Sequence, residues 1–384
     1  MAILTPKFVA LDSATLGNIA RDYFSTSAGK RSEARSLVDQ LRDAAVHITV
    51  SRTQLFELLG HDDESVAKAR IAWLRSLPFV AWIRPYREHW FVGGMLDVAL
   101  RELHAFVYDS AREWSTIIAA VRSRLLETGV GSDMFVDDPD QWSAIRLHAQ
   151  RSMKESIQAA SVARLDPGGL YATPFSDLEP MAELPRDNEK SRSRRALKFM
   201  CNTEAALAAH GDKRLPVSAA ATNLVRDMLT DVDAVEAIGG DPYQAIMHIY
   251  GVPKELVTPR TTIGEIGELA VYAANLRVLA EAIQPAASLG PLDVPPNSLP
   301  SLTLERELLR EHHTTSRVSG SDVGDAFIAP LAFYVDAVEA DKRTYHHLGT
   351  IRRRNASVDC HLRNVFRSGE YAKIPETLAQ GGVI

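Results

Sequence analysis

The chain has few of the residues from which many protein classes are recognised. Among its 384 residues there are two cysteines, Cys201 and Cys360, and they fit no CxxC spacing. A disulfide framework and a zinc ribbon are therefore not indicated. The sequence has no apolar run of the roughly 18 residues that a transmembrane helix needs. Its first residues also lack the basic start and apolar stretch of a signal peptide. We expect a soluble cytoplasmic protein with no membrane partner.

Several catalytic motifs are also missing from the sequence. There is no GxxxxGK[ST] phosphate loop and no GxSxG nucleophile elbow, and neither cysteine stands in a known nucleophile pattern. Covalent catalysis by a side chain therefore has no support. The net charge of −6 and the pI near 6.1 mean that any binding of nucleic acid depends on local basic patches.

Three compact apolar runs indicate an α/β fold. They are KFVAL (7–11), VHITV (46–50) and FVAWI (79–83), and helical patterns separate them. Ser51 and Gln54 have the spacing of a capping box, which predicts a helix directly after the second run. Short buried strands alternating with helices are typical of a parallel sheet with helices on both faces.

The middle of the chain has a different character. From residue 93 to residue 301 long helical patterns dominate, and the block ends in the proline-rich stretch QPAASLGPLDVPPNSLPS. After it the α/β pattern resumes, with FYVDAVEAD (333–341) alternating like a strand. We predict an α/β core formed by residues 1–92 and 302–384, interrupted by an all-helical insertion at 93–301. Three roles are open for this insertion: it could gate access to the edge of the sheet, bind substrate, or hold a protein partner or a second copy of the chain.

Acidic residues stand where such a sheet forms ligand sites. Asp12 and Asp341 directly follow strand-like runs, so both are expected at the edge of the sheet where parallel strands end. Glu57, in the helix after the second strand, and Asp325, near the start of the helix before the fourth, can reach the same edge. Four carboxylates repel one another unless cations neutralise them. Oxygen ligands favour magnesium or manganese, and a pair of such ions can activate water to cleave a phosphodiester.

At these residues the chain resembles the PIN domain family of metal-dependent nucleases. The matching segments are FVALDSAT, SRTQLFELL, SDVGDAFIAP and YVDAVEADKR. The resemblance spans residues 5–92 and 302–370 and implies a PIN-like parallel-sheet core. It also implies that Asp12, Glu57, Asp325 and Asp341 bind Mg²⁺ or Mn²⁺ and catalyse endonucleolytic cleavage. RNA as the preferred polymer and products with a 5′ phosphate and a 3′ hydroxyl are further implications of the resemblance.

The sequence departs from the family pattern at two positions near these acids. Glu339 stands where the family often has a small hydroxyl residue, and Ala14 stands where it often has asparagine. In an alternating strand Glu339 shares the side of Asp341, and Asp336 faces the opposite side. We therefore place Asp336 and Glu339 outside the principal set, with Glu339 able to approach the metals. Asp322, three residues before Asp325, competes with it as the third metal ligand.

Basic residues follow the last of these acids. We expect them to bind the phosphate backbone of a nucleic acid, and the alternative is an ordinary solvated surface. They are Lys342, Arg343, Arg352, Arg353 and Arg354.

Two other functions remain open at this point. One is a phosphohydrolase that uses the same metals on small nucleotides. The other is a catalytically silent interaction scaffold, in which acids such as Asp12 and Asp322 only cap helices or favour their N-termini.

Overall fold

The structure is a computed structural model. The ranges that it describes are 5–87, 92–135, 139–163, 170–174, 177, 189–210, 216–223, 226, 247, 251–283, 289–313, 324, 327–367 and 369–380.

Six strands form one mixed sheet in the order β4-β3-β2-β1-β5-β6. All neighbouring pairs are parallel except β3 and β4, which are antiparallel. The strands are β1 (Lys7–Ala10), β2 (Val46–Val50), β3 (Val80–Ile83), β4 (Leu126–Gly129), β5 (Ala337–Glu339) and β6 (Asn364–Phe366).

Helices occupy most of the remaining described chain. Those in its first half are α1 (Ser13–Tyr23), α2 (Ala28–Asp43), α3 (Arg52–Leu59), α4 (Glu64–Ser76), α5 (Met95–Val107), α6 (Trp114–Leu125) and α7 (Pro139–Ala163). Those that follow are α8 (Glu189–His210), α9 (Ile263–Ile283), α10 (Pro300–His313), α11 (Lys342–Arg354), α12 (Ala356–His361) and α13 (Ile374–Gln380). Within the described ranges, no helix is both long enough and apolar enough to cross a bilayer.

The parallel strands are buried along almost their whole length. Every residue of β3 and β5 is buried, as expected for a sheet that is covered on both faces. Val9, Ile48 and Trp82 belong to one apolar cluster with side chains of α1 to α4. This packing confirms the α/β fold class and the three strands predicted in the first part of the chain.

The capping box predicted at the start of α3 is present. The Ser51 hydroxyl accepts a hydrogen bond from the backbone N–H of Gln54, and the Gln54 side chain accepts one from the backbone N–H of Ser51. Gln54 also donates from Nε2 to the carbonyl oxygen of Leu11 at 2.6 Å. The start of α3 is therefore tied directly to the end of β1.

The block from residue 93 onwards is not all-helical, which corrects one prediction. Leu126–Gly129 forms β4, which pairs with the outer edge of β3. The sequence LETG has no strand-like alternation, and the strand forms because β3 offers an unpaired edge. The strand predicted over FYVDAVEAD (333–341) is also shorter in the structure, where β5 contains only Ala337–Glu339. Phe333 belongs instead to the 3₁₀ helix Ala329–Phe333 that precedes β5.

The chain separates into two compact units. The first consists of residues 1–155, 297–311 and 321–384 and contains the sheet. The second consists of residues 156–296 and 312–320. In the second unit, α9 packs against the 3₁₀ turn Leu170–Ala172, and Tyr272 donates a hydrogen bond to the carbonyl oxygen of Val294 at 2.7 Å.

Candidate functional site

The order of the strands marks one place on the sheet as a potential site. From β1 the chain passes to β2 on one side, whereas β5 pairs with β1 on the other side and β6 follows β5 outwards. In open parallel sheets, ligands bind where the strand order reverses, beyond the carboxyl ends of the strands. Here that position lies between the ends of β1 and β5. We call the side of the sheet on which the parallel strands end the carboxyl edge.

Asp12 and Asp341 lie at this position because each follows one of the two strands by two residues. Each is also the N-cap of the next helix. Asp12 accepts a hydrogen bond from the backbone N–H of Ala14 at 3.3 Å at the start of α1. Asp341 accepts one from the backbone N–H of Thr344 at 2.6 Å at the start of α11. Capping fixes both carboxylates at the carboxyl edge, so capping and site formation are compatible roles.

Glu339 lies between these two acids and is 4% exposed. Its Oε2 accepts a hydrogen bond from the backbone N–H of Asp12 at 3.2 Å. Its Oε1 accepts one from the Thr15 hydroxyl at 2.9 Å. Burial raises the pKa of Glu339 to about 7, and the charge of Asp12 adds to the rise. The carboxylate that the sequence pattern placed at the periphery thus joins the end of β5 to the first turn of α1.

Glu57 approaches the same place from α3. Burial raises its pKa, the nearby Ser13 hydroxyl lowers it in part, and the charge of Asp12 adds to the rise. The pKa of Asp12 is itself raised by burial and by the charge of Asp341, against the hydrogen bond from Ala14. Asp12 is therefore electrostatically coupled to the other three acids. We call Asp12, Glu57, Glu339 and Asp341 the carboxylate cluster.

The third acid predicted from the sequence belongs to the segment around Gly324. Asp325 and its competitor Asp322 both lie outside the described residues. Gly324, between them, is described, helical and buried. A Cβ atom at Gly324 would overlap Oε1 of Glu57. The backbone of Gly324 therefore lies directly against the Glu57 carboxylate.

The carboxylate cluster consists only of oxygen donors, the ligand type that hard divalent cations prefer. Among the residues that the structure describes, no Lys, Arg or His forms an ion pair with any of its four members. The described side chains alone also include no group of three or more metal-ligating residues close enough together to hold an ion. Burial raises the pKa values of Asp12, Glu57 and Glu339, and carboxylate oxygens are of the ligand type that magnesium and manganese accept.

The predicted phosphate-binding residues divide into two groups. Lys342 and Arg343 open α11, next to Asp341. Arg352, Arg353 and Arg354 form the last turn of the same helix, about 15 Å away at 1.5 Å per residue.

Two of the three arginines in that last turn take part in internal ion pairs. Arg352 pairs with Asp359 at 2.7 Å, and Arg354 pairs with Glu307 and Glu311 of α10. The structure thus brings only the first group to the carboxyl edge.

Asp336, which directly precedes β5, makes contacts that stabilise the fold. Its Oδ2 accepts a hydrogen bond from the backbone N–H of Phe8 at 2.8 Å, and its Oδ1 lies 3.3 Å from Nη1 of Arg363. Asp336 therefore makes contacts before the start of β5, whereas Glu339 ends the strand and contacts Asp12 and Thr15.

Comparisons with protein-family models, with curated proteins and with solved structures find no match.

Proposed function

We propose that this protein is a metal-dependent nuclease that hydrolyses phosphodiester bonds, in RNA rather than DNA. The observation that carries the proposal is the convergence of the carboxylate cluster at the point where the strand order reverses. Three of its members, Asp12, Glu57 and Glu339, have raised pKa values, and burial is the largest cause for each. The resemblance to PIN domain nucleases supports the choice of reaction and of polymer.

In this proposal Asp12, Glu57 and Asp341 hold Mg²⁺ or Mn²⁺, together with Asp325 from the segment beside Gly324. A bound divalent cation would supply charge neutralisation and acidify a water molecule for attack on phosphorus. Glu339 orients the site, because it holds the backbone of Asp12 and the hydroxyl of Thr15 in fixed positions.

The helices that begin at the cluster favour an anionic substrate. Both α1 and α11 start at the carboxyl edge, immediately after Asp12 and Asp341. The N-terminal end of a helix carries partial positive charge and backbone N–H donors, which attract phosphate groups. Lys342, exposed in the first turn of α11, adds a full positive charge beside the cluster. A phosphodiester would therefore be attracted to the same place as the cation.

The experiment is a cleavage assay on end-labelled single-stranded RNA, duplex RNA and single-stranded DNA with Mn²⁺ or Mg²⁺. Native protein is compared with Asp12→Asn and Asp341→Asn, and with Asp39→Asn as a control at an exposed acid of α2 that pairs with Arg42. We expect metal-dependent cutting of single-stranded RNA that both site variants abolish and the control retains. Hydrolysis of a small phosphate ester without cutting of any polymer would instead establish the phosphohydrolase. Equal cutting by native protein and both site variants would refute the proposed site.

A further inference from the structure

A second feature of the sheet-containing unit is a cavity of about 710 Å³ that runs beside β3 and β4 and includes the segment after β3 in its lining. Its apolar lining includes Trp82, Val121 and Phe135. Its polar lining includes the arginines Arg84 and Arg124. The cavity lies within the unit that contains the sheet, between the segment that follows β3 and the helices α5 and α6. It combines apolar side chains with arginines and with three acids, Asp109, Glu127 and Asp133.

One face of α5 holds an aromatic ring in place in this cavity. The backbone N–H of Tyr86 donates to Oδ1 of Asp97 at 2.8 Å, and the Tyr86 hydroxyl lies 2.8 Å from Nδ1 of His104. The guanidinium of Arg101 lies 5.6 Å from the centre of the Tyr86 ring. The ring is thus fixed before any ligand binds, which reduces the entropy lost on binding.

The aromatic surface continues along α5. The ring of His104 lies 6.1 Å from that of Tyr86 and 4.9 Å from that of Tyr108. Tyr108 is 46% exposed. Flat surfaces of this kind, interleaved with arginine, bind unpaired bases by stacking, and the interaction tolerates any base.

The two outer arginines are only weakly engaged by protein carboxylates. Arg84 Nε lies 3.8 Å from Glu127, and Arg124 Nη1 lies 3.9 Å from Asp109. All four side chains are at least 39% exposed, and ion pairs so exposed contribute little to stability. A phosphate group, which accepts two parallel hydrogen bonds from a guanidinium, is a better partner for either arginine. Asp133, the third acid of the lining, is engaged by the backbone N–H of Val130 at 3.0 Å.

The carboxylate cluster shares the carboxyl edge of the sheet with the part of the cavity that Arg84 and Tyr86 line. They are separated by two strand spacings, from β1 through β2 to β3, which amounts to about 10 Å. Arg52, at the start of α3, lies between them and is 3.8 Å from Oδ2 of Asp97. At the stacked spacing of about 3.4 Å per nucleotide, this distance corresponds to about three nucleotides. One polymer can therefore contact both features.

We propose that this cavity binds unpaired nucleotides next to the scissile bond of a single-stranded polynucleotide. Arg84 and Arg124 bind backbone phosphates, and Tyr86 stacks on a base. The position of the cavity relative to the cut rests on the proposed nuclease function, whereas binding itself is independent of it. A duplex is excluded from the stacking contact because its bases are paired.

The test uses the full chain with Asp12→Asn in EDTA, so that binding is measured without cleavage. Fluorescence anisotropy follows titration of fluorescein-labelled oligouridylate, of single-stranded DNA and of duplex RNA. Two variants are made in the Asp12→Asn background. One carries Arg84→Gln together with Arg124→Gln, and the other carries Tyr86→Leu. The matched control is Arg42→Gln, an exposed arginine that pairs with Asp39 and Asp43 at the opposite edge of the sheet.

We expect single strands to bind more tightly than duplex. The double arginine variant should weaken binding at least tenfold. It should also reduce the slope of log K against log[salt] by about 1.4, because each lost phosphate contact contributes about 0.7. Tyr86→Leu should weaken binding about tenfold or more, and Arg42→Gln should have no effect. Unchanged affinity in the arginine and tyrosine variants would overturn the proposal. Weakening by Arg42→Gln to the same extent, or tighter binding of duplex than of single strands, would also overturn it.

The two proposals fail in different ways. Binding that depends on Arg84, Arg124 and Tyr86, combined with no cleavage by native protein, would reject the nuclease and support the cavity. Cleavage by native protein with the same KM in the arginine variants would support the nuclease and reject the cavity.

Discussion

Gln54 Nε2 donates a hydrogen bond of 2.6 Å to the carbonyl oxygen of Leu11, and this bond connects the helix of Glu57 to the residue before Asp12. Gln54 is fully buried, and its Oε1 accepts from the backbone N–H of Ser51 at 2.7 Å. One side chain therefore sets the distance between two acids that stand 45 positions apart in the chain.

Replacing Gln54 should weaken the fold and the site together. Gln54→Leu leaves the carbonyl of Leu11 and the N–H of Ser51 buried without their partner, at a cost of about 1–3 kcal/mol for each such group. We expect a lower free energy of unfolding in urea and loss of cleavage. Gln40→Leu, which changes an exposed glutamine of α2 bonded to Ser36, is the control and should unfold like native protein. Native stability in Gln54→Leu would contradict the role assigned to this bond.

Neutralising Asp12 should stabilise the metal-free protein. Burial and the charge of Asp341 raise the pKa of Asp12, so its charged form is disfavoured in the folded state. Asparagine removes the charge and still accepts the capping hydrogen bond, because Asn and Asp are comparable N-caps. A thermal melt in EDTA should give a higher Tm for Asp12→Asn than for native protein. Asp12→Ala removes the cap as well, at a cost of about 1 kcal/mol, and should melt below Asp12→Asn.

The stability of the metal-free protein should fall as the pH rises from about 4.5 to 7. Folded Glu339 keeps its proton up to a pKa of about 7, whereas the ordinary value is 4.5. The folded state therefore binds more protons in this interval, and its stability is complete below pH 4.5 and decreases towards pH 7. The contribution of Glu339 is at most about 3 kcal/mol.

Urea unfolding in EDTA at pH 5 and pH 8 checks this dependence. Glu339→Gln should reduce the decrease between the two pH values without abolishing it, because burial also raises the pKa of Glu102 to about 7. Glu64→Gln, at an exposed glutamate that pairs with Lys68, should leave the decrease almost unchanged. An equal decrease in Glu339→Gln and native protein would show that Glu339 titrates normally.

A methyl group at Gly324 should impair the site and leave the fold intact. The added Cβ overlaps Oε1 of Glu57, which is the mobile end of a long side chain and can move away. Alanine in a helix is also favoured over glycine by about 1 kcal/mol. We expect Gly324→Ala to keep the native Tm and to lose cleavage activity. Gly267→Ala, at a helical glycine of α9 with open space around it, should keep both.

Much of the fold could be predicted because its signals are local. The run 46–50 is β2 without any change of boundary, since five consecutive strand-forming residues end at a capping serine. β4 could not be predicted, because its four residues have no apolar alternation and take their structure from pairing with β3. Tyr334 directly follows the 3₁₀ helix, and its hydroxyl donates a hydrogen bond to the buried Glu102. This contact joins residues that are far apart in the chain, so no local sequence pattern predicts it.

The candidate site was predicted in part for the same reason. Asp12 and Asp341 follow apolar runs, so their place at the carboxyl edge follows from the periodicity of the strands. The sequence pattern puts Glu339 outside the principal set of acids, because no neighbouring residue indicates that Glu339 is buried or that it bonds to Asp12 and Thr15. The cavity beside β3 could not be predicted from the sequence, because the segments that line it are distant in the chain and meet only after folding.

The pairing of β1 with β5 has a consequence for synthesis of the protein. Phe8 and Asp336, which are hydrogen-bonded where the two strands meet, are 328 residues apart, and β5 contributes only three residues to the sheet. A nascent chain therefore displays one side of β1 as an open edge until the residues of β5 have left the ribosome. Contacts of such long range form late in folding. The carboxylate cluster is consequently incomplete until Glu339 and Asp341 have been synthesised, so the activity proposed here would be absent from a nascent chain that has not yet reached β5.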